Sequence, residues 1–527
     1  MPTLSLVVDG RMVEVPDDGA TLLTVLRERL GLTSVKDGCS PQGQCGCCTV
    51  LVDGQPRVAC VTPARRVRGR SVTTLDGLPA DEQAAWGEAF CATGASQCGF
   101  CTPGIIVRLA GLAARSPDAG EAAVEQALLA HLCRCTGWRT ILDAWSAHSR
   151  GAAPAAGRDL AAASQRASIE GRSPQRVAPD VALGHGGFAD DTAPTDALVA
   201  VLDAHGEWVV GETVPEARAE AGKVQGRRTT VDLRHPIEVP PGDWAATLRT
   251  TWVEPGYLEL DAAWCAPGGT PATPLANGGA FGGKVSSLVT AAARTLADTH
   301  GRPVRTLLSR EDAVRLGPKR PPVAGGIRPD GTGVLRIAAT PGSEAAVAAI
   351  AAVAPGLAVE PVAVPGPPAS WDLRAAGWAE AAALLAAVAP AGDGEATVRS
   401  PEGAEAHARV RLGDEPSVAV RVTDCGPVLD EVVLRSYCVG AAHMGLGWVC
   451  SEGVAVDEVG EVHDLTIRSF GILRAVDMPP VTVEVVPSEG PPVNASDAVF
   501  AAVAAAAWRA QGCPPEWPTG LIPRVRR

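Results

Sequence analysis

The chain has 527 residues, 15 cysteines and a formal net charge of −13. That length predicts roughly two to four domains with ample core. The acidity argues against nucleic-acid binding through phosphates, and no apolar run reaches the length of a membrane helix.

Residues 1–78 alternate extended runs with turn residues and carry one helical stretch, TLLTVLRERLG. The start, MPTLSLVVDGRMVEVP, reads as strand–turn–strand rather than a charged-then-apolar leader, which predicts a cytoplasmic chain. Four cysteines follow in KDGCSPQGQCGCCTVLVDGQPRVAC: Cys39, Cys45, Cys48 and Cys60. Asp53-Gly54 between two extended runs predicts a hairpin that returns Cys60 to Cys48. The gap from Cys39 to Cys45 holds five residues, where the plant-type ferredoxin spacing has four.

Residues 79–150 read as helical. They carry Cys98 and Cys101 in QCGFC, just before the apolar helix TPGIIVRLAGLAA, and Cys133 and Cys135 in HLCRC after a second helix. Clustered cysteines in such a chain favour metal over disulfides. A single residue between Cys133 and Cys135 is too tight for a zinc-ribbon knuckle. Iron–sulfur ligation is the reading preferred over disulfides and structural zinc for these eight thiols. Cys47 and Cys91 fall outside both patterns and read as packed hydrophobes.

Residues 151–178 are rich in Ala, Arg, Ser and Gly without periodicity and read as a linker. Residues 179–245 mix strands (ALVAVLD, EWVVG) with a helix (VPEARAEAGKV). Residues 246–527 mix strands and helices with frequent Pro and Gly. The Ala-rich stretches near 343–354 and 378–389 read as surface-packing helices.

The phrases GCSPQGQCGCCTV, QCGFCTPG and LCRCTGWR together resemble the iron–sulfur domain of the molybdenum hydroxylases, the xanthine oxidase and aldehyde oxidase family. The later segments NGGAFGGK, SREDAVRLGPKRPP, VTDCGPVLDE and GAAHMGLGW resemble that family's molybdenum-binding portion in the same order. The resemblance implies an α+β chain. A β-grasp ferredoxin subdomain (1–78) and a four-helix subdomain (79–150) each hold one [2Fe–2S] cluster. After the linker come a hammerhead-like α/β unit (179–245) and a shortened molybdopterin-binding-like region (246–527). It further implies that Gln97, Gly278, Gly279, Phe281 and Gly282 approach the pterin and molybdenum. One local departure is Ala130-His131, where the family usually has Gly-Asn.

Other departures bear on catalysis. The family's substrate-facing Arg loop and its Gly-Gln-Gly pterin loop have no counterpart. The position of its essential glutamate falls on Gly490, leaving Glu489 as the candidate base one residue away. The resemblance therefore implies an iron–sulfur oxidoreductase component passing single electrons between a molybdenum–pterin site and an acceptor. The alternatives are a complete molybdenum-dependent hydroxylase of aldehydes or N-heterocycles, and a non-catalytic electron-transfer scaffold. With no flavin domain in this chain, a separate flavin-binding subunit is expected, and a separate molybdenum-binding subunit accompanies the scaffold reading.

Overall fold

The structure is a computed structural model describing residues 2–151, 157–222, 231–273 and 279–522. Along Thr3–Val8, Leu4, Leu6 and Val8 are buried and their neighbours face outward, the two-residue period of a half-buried strand. The strand turns back into Arg11–Pro16 through Asp9 and Gly10, both at positive φ (48° and 76°). The same two-residue turn, Asp53 and Gly54 at 49° and 74°, joins Thr49–Val52 to Gln55–Val58. This is the turn whose twist matches paired strands, and it tolerates Asp and Gly best. A short strand, Ser71–Thr73, runs between Thr3–Val8 and Thr49–Val52, closing a five-stranded sheet. The helical stretch packed against it forms one α turn, Leu22–Thr24, that widens into a π turn over Val25–Arg29.

Four helices follow: Ala80–Thr93, Thr102–Ala113, Glu121–Ala127 and Arg139–Ser149. Pro103 sits in the first turn of the second, where its missing N–H costs nothing.

Within the stretch expected to be a linker, whose residues 152–156 lie outside the described residues, Leu160–Gly171 forms a helix. The Asp159 carboxylate accepts from the N–H groups of Ala161 and Ala162, which starts it. Arg166 and Glu170 are fully buried and pair at 2.6 Å. Glu170 also accepts from the backbone N–H of Ala495 and Ser496, at the head of a later helix. The composition looks unpatterned because this helix buries charged residues rather than an apolar stripe.

The hammerhead-like unit is not closed within 179–245. Its sheet runs Trp208–Gly211, Leu198–Leu202, Val304–Leu307, Ala262–Cys265. Leu198, Ala200 and Leu202 face the helix Leu288–His300, while Val199 and Val201 face the helix Val214–Ala221. Two strands and one helix cannot bury a core, so the unit borrows two strands and a helix from later in the chain. The predicted helix VPEARAEAGKV reaches Ala221 at its described end; residues 223–230 lie outside the described residues.

Two further sheets complete the fold. One runs Leu357–Val362, Gly333–Ala338, Val323–Ile327, Ala246–Thr250, Glu516–Trp517; the other runs Glu395–Arg399, Glu405–Arg411, Ser417–Thr423, Val481–Val485. The Ala-rich stretches form the helices Ser343–Val353 and Trp378–Val388, and the second is largely buried rather than superficial. At the centre the helix Glu431–Cys450 packs on Ser496–Ala510. Ala501 through Ala507 are fully buried, and a Cβ at Gly445 would stand 2.7 Å from the Phe500 carbonyl oxygen. Small side chains on both helices allow that close approach. Residues 462–486 contain one strand, Val481–Val485, preceded by short 3-10 turns.

Candidate metal centre

Cys39, Cys45, Cys48 and Cys60 are each at most 2 % exposed. The hairpin returns the chain as expected: the Cys60 N–H lies 3.4 Å from the Cys48 sulfur. The Cys39 thiol is in contact with those of Cys45 and Cys60, and Cys60 with Cys48. The five-residue gap is accommodated by Ser40 and Gly43 in left-handed backbone, φ 43° and 72°. Ser40 is held there because its N–H donates to Asp37 Oδ1 and Arg218 donates to its hydroxyl.

The second group forms two pairs. The sulfurs of Cys98 and Cys135 are 3.8 Å apart, and the thiol of Cys101 touches that of Cys133. Each pair joins one cysteine of CGFC to one of CRC. After Cys135 the chain turns through Gly137 and Trp138 at positive φ (60° and 69°), and the Trp138 indole N–H donates to the Leu473 carbonyl. Among the described residues no three His, Cys, Asp or Glu side chains are placed to hold one metal ion. A two-iron cluster instead takes two ligands on each iron, which the pairing of thiols suits.

The two groups are joined by backbone contact. The Leu132 N–H donates to the Cys45 carbonyl at 3.0 Å. A Cβ on Gly104 would stand 2.4 Å from the Gly46 carbonyl oxygen. Buried Cys47 lies in this seam, its thiol in contact with that of Cys45. His131, noted from sequence only as a departure, fills the same seam: its Nε2 is 3.1 Å from Thr49 Oγ1 and 3.2 Å from the Gly104 carbonyl oxygen. Burial holds its pKa down to about 3, so the ring is neutral.

The glycine loop meets the second group. A Cβ at Gly279 would stand 3.2 Å from the Cys135 sulfur, and Gln97 Nε2 donates to the Cys135 carbonyl and to Ser436 Oγ, each at 3.0 Å. Gly278 lies outside the described residues. The structure thus gathers Gln97 and Gly279 at one thiol pair. Among the described residues the space beyond them is filled. Phe281 stacks under the Arg374 guanidinium at 3.7 Å, and Arg374 donates to Asp497 and Ser496. At Gly282 (φ 99°) a Cβ would stand 1.9 Å from the Asp372 carbonyl oxygen. Arg134, between the two cysteines of CRC, donates to both carboxylate oxygens of Glu452 at 2.6 and 2.7 Å. Arg320 pairs with Glu380 and stacks on Trp448.

The cavity left here is about 30 Å³, lined by Arg134, Ala280, Arg374, Met444 and Trp448 among others. That holds about two waters, whereas ligand sites begin near roughly 300 Å³. Gln97 Oε1, buried without a hydrogen-bond partner among the described residues, is an acceptor such a cofactor would satisfy. With residues 274–278 outside the described residues, the cavity as described has no room for a molybdenum–pterin. Glu489 lies on an exposed turn and does not line this cavity. The buried partners Arg134–Glu452, Arg320–Glu380 and Arg374–Asp497 gave no sequence signal, because they lie 60 to 318 positions apart.

Two family models match the N-terminal part: a 2Fe-2S iron-sulfur cluster binding domain over 6–69 and a [2Fe-2S] binding domain over 74–146. Over 138 residues the chain is 38 % identical to the nicotinate dehydrogenase small FeS subunit of Eubacterium barkeri, covering 26 % of this chain and 87 % of that one. Over 131 residues it is 39 % identical to the isoquinoline 1-oxidoreductase subunit alpha of Brevundimonas diminuta, 25 % of this chain and 85 % of that one. The match to the aldehyde oxidoreductase of Megalodesulfovibrio gigas, 43 % identical, covers 24 % of this chain and 14 % of that protein. In fold, the crystal structure of the aldehyde oxidoreductase from Desulfovibrio desulfuricans superposes with a TM-score of 0.73 at 16 % identity, over 96 % of this chain and 97 % of that one. Two consecutive [2Fe–2S] domains on an α+β aldehyde-oxidoreductase fold define an iron–sulfur oxidoreductase. The chain belongs to the molybdenum hydroxylase family.

Proposed function

We propose that Cys39, Cys45, Cys48 and Cys60 hold one [2Fe–2S] cluster, that Cys98, Cys101, Cys133 and Cys135 hold a second, and that the chain is an electron-transfer component. When bound, such clusters take up and release single electrons. The observation that carries the reading is the pairing of eight buried thiols in two groups that share a backbone seam. The chain's own residues exclude water from that seam: His131 fills it in neutral form, and Gly46 and Gly104 let the two loops touch. Residues 1–78 and 79–150 act as the two cluster-bearing units. Arg134 fixes the CRC loop against Glu452 and so holds Cys133 and Cys135 in register.

Because the space beyond Gly279 is packed, the molybdenum–pterin and the substrate chemistry belong on a partner chain, with a flavin-binding or other acceptor subunit completing the path. The relatives named as small FeS and alpha subunits support this arrangement. Among the described residues no helix is long and apolar enough to cross a membrane.

The deciding experiment is elemental analysis of protein purified anaerobically from its native host. About four irons per chain without molybdenum is the expected result. About one molybdenum per chain makes this a complete hydroxylase and overturns the partner assignment.

A further inference from the structure

A cavity of about 280 Å³ lies between the first thiol loop and the sheet carrying Leu198–Leu202. Pro41, Val201, Leu202, Pro215, Leu307 and Leu308 give it apolar walls. Its size is close to the lower end of small-molecule sites. Asp312, 2 % exposed, lines it. The Asp312 Oδ2 accepts from the N–H and hydroxyl of Ser309, capping the helix Arg310–Leu316. Its Oδ1 has no hydrogen-bond partner among the described residues, with Arg315 Nη1 3.9 Å away. Burial raises the Asp312 pKa, so the group retains its proton more readily than an exposed carboxyl.

One wall of the cavity is the thiol loop itself. Arg218 donates to Ser40 Oγ at 2.6 Å and to Asp37 Oδ2 at 3.3 Å, and Ser40 directly follows Cys39. Charge selects the occupant. The Glu311 carboxylate lines the cavity, and its one arginine is already engaged by Asp37. A phosphate-bearing flavin nucleotide meets like charge there; a neutral ring does not.

We propose that this cavity binds a neutral, planar quinone-type carrier, with a carbonyl edge at Asp312, and is an electron outlet of the chain. The proposal rests on the electron-transfer reading above. In the balanced reaction the quinone gains two electrons, delivered singly by the reduced chain, which is oxidised. It gains one proton from the Asp312 carboxyl and one from water, and leaves as the hydroquinone; Asp312 recovers its proton from solvent.

The test is equilibrium dialysis of the oxidised full chain against naphthoquinone, with FMN as competitor. Saturable binding of one naphthoquinone per chain is expected, weakened about tenfold or more by Ala219→Trp on the exposed cavity wall and by Asp312→Asn, and untouched by FMN. Non-saturable uptake, affinity unchanged in both variants, or displacement by FMN overturns the proposal. Thermal unfolding confirms that both variants are folded. Iron content and EPR on the same samples separate the two readings. Binding without iron leaves the cavity site standing and removes its electron role, whereas iron without binding removes the site alone.

Discussion

The first 150 residues and the region after 179 are governed by different constraints. In the first, sulfur positions dictate the chain, and sequence likeness to relatives is 36 to 43 %. Over the whole superposition, which takes in the second region as well, identity falls to 16 %. A thiol displaced by an ångström no longer reaches an iron, so ligand loops vary little. A core tolerates many substitutions that preserve volume and pattern.

The sharpest way to break this comparison is at the sulfurs. Cys101→Ser or Cys135→Ser is expected to abolish one of two distinct [2Fe–2S] EPR signals and leave the other. Retention of both would refute the ligand assignment.

The next effect tests whether ion pairs hold the second region. Arg320→Leu leaves Glu380, fully buried, without its cation. The expected cost is about 3–5 kcal/mol by chemical denaturation, with both EPR signals intact in the folded protein. A loss below about 1 kcal/mol would show that the pair is incidental.

A smaller effect is read from pH. Glu259 is fully buried beside Lys284 at 3.0 Å, and burial pushes its pKa from 4.5 up to about 7. Between those values the folded chain binds more protons at this group than the unfolded chain, so its contribution to stability falls as pH rises through that window. Glu259→Gln is expected to flatten the slope between pH 4.5 and about 7 in denaturation series. An unchanged slope would assign it to other groups.

The smallest effect is expected at Glu489. Exposed on its turn, it is expected to tolerate Glu489→Gln with stability within about 0.5 kcal/mol and any hydroxylase activity of the isolated chain largely intact. A fall of about two orders of magnitude in that activity would restore it as a general base.

Much of the N-terminal half-site was legible from residues alone. Cysteine spacing, the Asp53-Gly54 turn and the Pro103 helix start are local signals, and each reads from a few consecutive residues. The linker and hammerhead boundaries were not legible. Helix Leu160–Gly171 is specified by what it touches, since Glu170 caps a helix that begins more than 300 positions later. The strands Ala262–Cys265 and Val304–Leu307 join their sheet only through long-range pairing.

By itself the sequence determined that eight thiols would be clustered, which helices and hairpins present them, and which family's order of segments the chain follows. Those properties depend on neighbours in the chain. Tertiary structure alone decided that Phe281 stacks on Arg374 and that Gly282 abuts the Asp372 carbonyl. It also paired Arg134 with Glu452 and opened a cavity beside Cys39. Packing volume and buried charge pairing are sums over residues distant in sequence, and no local pattern encodes them.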